Sequence, residues 1–169
     1  SSAFFRNNIA PIRLSLFNLG TFLTNLIVVF FQILVLVGVA ILAFNVNITS
    51  VIFSIIAALL MVSSVFICVG MMIGYLFTTE ETSTLAAISL SCIFLLFSST
   101  IIPIESLAPS IANYAAYSPF VLGEAMIRKM IVFGLPISMS KELLLLFLEF
   151  MMMCVLVTIA SKINRNRIK

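Results

Sequence analysis

The chain has 169 residues, of which 63% are hydrophobic and 9% charged, with a formal net charge of +3; an ordinary soluble domain is roughly 45–50% apolar and about 25% charged. One core of this size cannot hide that much apolar surface, so lipid is the solvent that suits the chain. The absence of His and Asp removes most zinc sites, most acid–base pairs and every Ser-His-Asp arrangement.

The chain opens Ser1-Ser2-Ala3-Phe4-Phe5-Arg6, without an initiator Met or a signal-peptide pattern, and is expected to be a segment of a longer polypeptide. Residues 1–18 mix Arg6, Arg13 and Asn18 with Phe4, Phe5, Ile9 and Ile12, which fits a short interfacial helix with Pro11 as a break or a new first turn. Residues 20–44 are apolar apart from Thr21, Thr24, Asn25 and Gln32; as a helix they extend about 37 Å, enough to cross a bilayer with tilt. A short uncharged turn leads to a second span, residues 51–77. The polar stretch around Glu80 and Glu81 reads as a connector to a third span, residues 85–102, which at about 27 Å is close to the minimum for crossing.

Residues 103–140 are too apolar for an ordinary loop and too interrupted for one span. Pro103, Glu105, Pro109, Pro119, Gly123, Glu124, Arg128, Lys129, Gly134 and Pro136 all fall there. Two short helices separated near Tyr117-Ser118-Pro119 account for this pattern, provided protein or water covers the free backbone groups. Residues 143–161 form the last span, followed by a basic tail. The expected fold is all-α: a polytopic transmembrane bundle of about four spanning helices, with a broken re-entrant hairpin on the outer side.

Lys and Arg set the orientation. An even number of crossings puts both termini on one side, with Arg6, Arg13, Lys162, Arg165, Arg167 and Lys169; Arg128, Lys129 and Lys141 lie opposite. Both ends are therefore expected in the cytoplasm of a cell-membrane protein. The basic residues cluster at the chain ends and do not make a nucleic-acid patch. Cys68, Cys92 and Cys154 each sit in an apolar run and read as packing residues.

Several residues stand out individually. Gly70 and Gly74 form a GxxxG, whose small residues let helices approach closely, either within this chain or at a seam between two copies. Glu149 lies about 10 Å into the last span. A charge at a helix centre costs about 2.5–3.5 kcal/mol on insertion scales, so Glu149 is either a polar site on a pathway or a satisfied group near the outer interface. Gln32, near mid-span, is either an interhelical hydrogen-bonding group or a pathway residue. Glu124 and Arg128 share a helical face at i, i+4 with Glu first, the favourable order for pairing. With the fixed turns of Pro103, Pro109 and Pro119, and with Glu105, they are candidates for an external gate.

Three stretches resemble the C-terminal part of an ABC transporter type-2 permease. Ile102-Pro103-Ile104-Glu105-Ser106-Leu107-Ala108-Pro109 is similar to the Pro- and Glu-containing segment after that family's penultimate span. Tyr117-Ser118-Pro119-Phe120-Val121-Leu122-Gly123-Glu124-Ala125-Met126-Ile127-Arg128 is similar to the stretch leading into its last span. Gly70-Met71-Met72-Ile73-Gly74, followed by Glu80-Glu81, resembles its small-residue helix end and cytoplasmic turn. A departure is the entry Phe4-Phe5-Arg6-Asn7-Asn8-Ile9-Ala10-Pro11, with a single Arg and no Glu, where the family usually has a charged stretch.

The resemblance implies a permease exporting a hydrophobic or amphipathic substrate with a second permease half, identical or not, and a separate ABC ATPase. The chain has no phosphate-binding Gly-rich loop of the kind nucleotide binding requires, and no cofactor motif. The resemblance also implies that Phe4, Phe5, Arg6 and Arg13 dock on the ATPase; from the residues alone they equally fit a helix lying on membrane lipid. A membrane-embedded protease or lipid transferase, or a structural membrane anchor, stays open at this level.

Overall fold

In a computed structural model the described residues are 14–44, 50–77, 79–96, 98, 101, 109–134 and 141–167. They form helices α1 (Leu14–Phe44), α2 (Ile52–Leu76), α3 (Glu80–Leu96), α4 (Pro109–Ala115), α5 (Pro119–Phe133) and α6 (Lys141–Arg167), with no strand among them. A long apolar run in lipid has to satisfy its backbone groups internally, and a helix does so within one segment. Three of the helices carry stretches long and apolar enough to cross a membrane: Ser15–Ala43, Ile52–Leu76 and Lys141–Asn164.

The elements differ from the expected boundaries at several ends. α1 begins at Leu14, so residues 14–18 are its first turn and not part of a separate interfacial helix; residues 1–13 lie outside the described residues. The polar stretch before the third span is largely helical, because α3 starts at Glu80 with Glu80 and Glu81 in its first turn, where carboxylates favour the helix dipole. The Thr79 hydroxyl accepts a 3.3 Å bond from the Thr82 backbone N–H. At 17 residues, about 26 Å, α3 is shorter than the three long helices. The basic tail continues α6 as far as Arg167.

α2 is the centre of the bundle and packs on α6, α1, α5 and α3. Ala58, Val65, Met126 and Leu146 are fully buried in the shared core, with Ile33, Val37, Ile55 and Met130 around them. Two contacts show that α2 and α6 run parallel. Cys68 Sγ lies 4.0 Å from Cys154 Sγ. About two turns further along each helix, Tyr75 and Ser161 meet on one residue of α1, Asn18. Because Asn18 opens α1 while Tyr75 and Ser161 close α2 and α6, α1 runs antiparallel to both.

Parallel α2 and α6 require the chain to return between Leu76 and Lys141. α3 carries the first part, with its Phe94 ring 5.4 Å from the Phe66 ring of α2 in an edge-to-face contact. α5 carries the last part. Gly123 faces Val62 near the middle of α2, and Lys129, less than two turns later, reaches Glu142 at the start of α6. α5 ends on Gly134 in the left-handed conformation at φ 61°, which glycine adopts without a Cβ penalty.

Candidate functional site

The sequence break at Tyr117-Ser118-Pro119 is realised as an elbow between α4 and α5. Pro119 is the first residue of α5, where its missing N–H costs nothing. Part of the elbow's backbone pairs locally: Ala116 N–H donates to Ala112 O at 3.0 Å, Tyr117 to Tyr114 at 3.2 Å, Ser118 to Ala115 at 2.9 Å and Leu122 to Ser118 at 2.9 Å.

Beneath the elbow lies a cavity of about 360 Å³ bounded by α2, α3, α4, α5 and α6. Val65, Val69, Phe94, Met152 and Met153 make its apolar walls, Tyr114 and Tyr117 stand at its edge, and Ser118 and Glu149 supply polar groups. Glu149 is about 12 Å along α6 from Lys141. Its Oε2 and the Ser118 Oγ are buried and have no hydrogen-bond partner among the described residues. Sequence reasoning singled out Glu149 but not Ser118 or Tyr114, since an elbow brings together residues from five helices.

Above the cavity, α5 carries two ion pairs. Arg128 Nη2 donates to Glu124 Oε1 at 2.7 Å along one face of the helix, the pairing expected from their spacing. Lys129 Nζ donates to Glu142 Oε1 at 2.6 Å and ties α5 to α6. Glu142 was not among the expected site residues; its partner is 13 residues away, beyond any local pattern.

At the opposite end, the Tyr75 hydroxyl donates to Asn18 Oδ1 at 2.6 Å, Asn18 Nδ2 donates to Ser161 Oγ at 3.1 Å, and Ser161 Oγ donates to Thr158 O at 2.9 Å. Asn18 and Ser161 are buried. The cluster joins the ends of three long helices.

The other candidates are placed as follows. Pro109 begins α4. Gln32 is exposed on α1, in an open groove beside Phe31, Val35, Leu36, Val39 and Ala40, and so does not face the cavity. Gly70 and Gly74 are exposed, and no described atom lies within 4 Å of where a Cβ on either would stand. They therefore do not mediate close packing within the described chain. The close glycine contact is instead at Gly123, whose added Cβ would stand 2.5 Å from Val62 Cγ2. Pro103, Glu105, Phe4, Phe5, Arg6 and Arg13 lie outside the described residues.

Three helices long and apolar enough to cross a membrane, packed on one another, define a multi-pass helical membrane protein. The model of the ABC-2 type transporter family matches residues 2–132, well over half of the 169 residues, and the chain belongs to that family. It is accordingly a membrane transport component, a permease subunit of an ABC transporter, and not itself the catalytic part. No match was found among curated proteins or among solved structures.

Proposed function

We propose that the chain is the permease of an ABC exporter, moving a hydrophobic or amphipathic substrate outward across the cell membrane at the expense of ATP hydrolysed by a separate ATPase subunit. The observation that carries this reading is the elbow. α5 packs against α2 and α6 beside the Glu149 cavity, held by Lys129–Glu142 and by the Gly123–Val62 contact; with both termini cytoplasmic it stands at the outer end, where it would close the exit as a unit. Pro109, Pro119, Glu124 and Arg128 belong to this outer gate, together with Pro103 and Glu105.

The return between parallel α2 and α6 supports a fourth crossing by the expected span of residues 85–102, most of which α3 carries, with α4 and α5 as the re-entrant hairpin. Both termini then lie in the cytoplasm, as the Lys and Arg distribution favours. There Phe4, Phe5, Arg6 and Arg13 dock on the ATPase, and the Asn18 cluster passes that displacement to α1, α2 and α6 together. A second permease half, identical or related, completes the pathway. The open Gly70–Gly74 face suits such a seam, and rocking of the halves about it opens the exit.

The test is ATP-dependent transport of a fluorescent amphiphile in inside-out membrane vesicles containing the permease and its ATPase. Accumulation inside these vesicles is expected, and it should disappear with a hydrolysis-dead ATPase. Accumulation only in right-side-out vesicles supplied with internal ATP would reverse the direction, and ATPase turnover indifferent to the permease would defeat the reading.

A further inference from the structure

The cavity under the elbow has a chemistry more specific than its apolar walls suggest. Its size falls within the range of small-molecule sites, about 300–1,000 Å³, which are mostly apolar with a few placed polar groups. The polar groups here are one carboxylate oxygen, Glu149 Oε2, and one hydroxyl, Ser118 Oγ, both buried and both without a partner among the described residues. Among the described residues, no Lys or Arg lines it. The nearest cations on α5, Arg128 and Lys129, are already engaged by Glu124 and Glu142. A carboxylate in an apolar surround is stabilised by an opposite charge and penalised by a like one. Aromatic faces attract cations, and thioether side chains adapt to irregular apolar shapes; Phe94, Tyr114 and Tyr117 supply the first, Met152 and Met153 the second.

We propose that this cavity is a binding site for an amphipathic organic cation, its positive charge against Glu149 and its apolar body between the α2 wall and Met152–Met153. That the bound molecule is also cargo rests on the exporter reading; the binding itself does not. A neutral ligand leaves the carboxylate unpaired, and an organic anion meets it head-on. The cavity therefore selects by charge sign among molecules of equal size and hydrophobicity.

Tetraphenylphosphonium and tetraphenylborate are near-identical in shape and opposite in charge. The experiment is saturable binding of each to the full-length protein in zwitterionic lipid nanodiscs, with empty nanodiscs subtracted to remove partitioning into lipid. The phosphonium is expected to bind saturably and the borate not. Glu149→Gln should weaken phosphonium binding at least about tenfold, while Glu149→Asp, which keeps the charge, should stay closer to the parent. Equal binding of the two ions by the unmodified protein, no saturable phosphonium binding, or a Glu149→Gln variant that is folded and binds as tightly as the parent each overturns the proposal. The first two need no substitution and so do not depend on a variant's folding. Charge-selective binding without ATP-driven movement in vesicles would leave the site standing and remove the exporter reading; the reverse pattern would remove only the site.

Discussion

The hydroxyl of Tyr75, at the end of α2, donates a 2.6 Å hydrogen bond to the side-chain carbonyl of Asn18, at the start of α1. The Asn18 amide in turn donates to Ser161 of α6. One side chain thus uses its donor and its acceptor on two different helices, fixing three helix ends by hydrogen bonds where apolar packing alone sets no unique register. In a bilayer the hydrophobic effect does not drive helices together, so packing and interhelical hydrogen bonds decide which surfaces meet.

Removing the Tyr75 hydroxyl should leave Asn18 Oδ1 buried without its donor. Tyr75→Phe is expected to destabilise the folded protein by about 0.6–2 kcal/mol, the range for interhelical bonds in membranes and for a buried polar group losing its partner. Asn18→Leu removes both bonds together and should not add fully to Tyr75→Phe. Thermal unfolding of the two single variants and the double variant in nanodiscs measures the coupling. Strict additivity would show that the two side chains act independently.

Gly123 is where α5 comes closest to α2. A methyl group there would stand 2.5 Å from Val62 Cγ2, and the β-branched Val side chain has little rotamer freedom in a helix with which to yield. Gly123→Ala is expected to cost about 1–3 kcal/mol through overpacking, and Gly123→Leu to displace α5 outright. Val62→Ala should recover much of the Gly123→Ala loss, because it removes the methyl groups in the way. Melting temperatures of the single and double variants test this, and a double variant no better than Gly123→Ala would show that the contact is not the cause.

Much of the helical plan was legible in the sequence. Long, predominantly apolar runs marked α1, α2 and α6, because lipid leaves a long apolar segment few alternatives to helix. Pro119 and the i, i+4 spacing of Glu124 and Arg128 marked the elbow and its surface pair. The packing partners were not legible, since in lipid a buried face and an outward face can be equally apolar and periodicity no longer separates them. Thus the GxxxG of Gly70 and Gly74 drew attention to an exposed stripe, while the lone Gly123 carried the close approach. Glu80 and Glu81 read as a turn because charge suggests solvent, although the same two carboxylates suit the first turn of α3. Asn18, Tyr75 and Ser161 are distant in sequence and are joined only by the fold.

The two ion pairs of α5 should behave differently. Arg128–Glu124 is internal to one helix, and Arg128 is largely exposed, so Arg128→Ala should change stability by only about 0.3–0.5 kcal/mol. Lys129–Glu142 joins two helices, with Glu142 the more buried partner, and Lys129→Glu places two carboxylates together where α5 meets α6. That reversal should lower the melting temperature clearly, and Lys129→Glu combined with Glu142→Lys should restore most of it. In transport, Lys129→Glu should raise passive leak through the outer half if α5 is the gate. Leak unchanged in a folded Lys129→Glu variant would argue against α5 as the closing element.

Cys68 and Cys154 provide a direct check on the packing register of α2 and α6, which together with the Asn18 cluster sets their parallel arrangement. Their sulfurs are 4.0 Å apart, and a disulfide needs about 2.05 Å, so a modest approach of the two helices brings them to bonding distance. Cys92 is exposed on α3 and faces neither. A membrane-permeant oxidant should join Cys68 to Cys154, seen by mass spectrometry as one linked peptide pair, with Cys92 still open to a maleimide after unfolding. Replacing either Cys68 or Cys154 by Ser should abolish the link. A shift of α6 by one turn along α2, about 5.4 Å, would carry the sulfurs apart, and the pair would not form. A link joining Cys92 to either partner would require α3 to pack elsewhere, and with it the cavity that α3 helps to enclose.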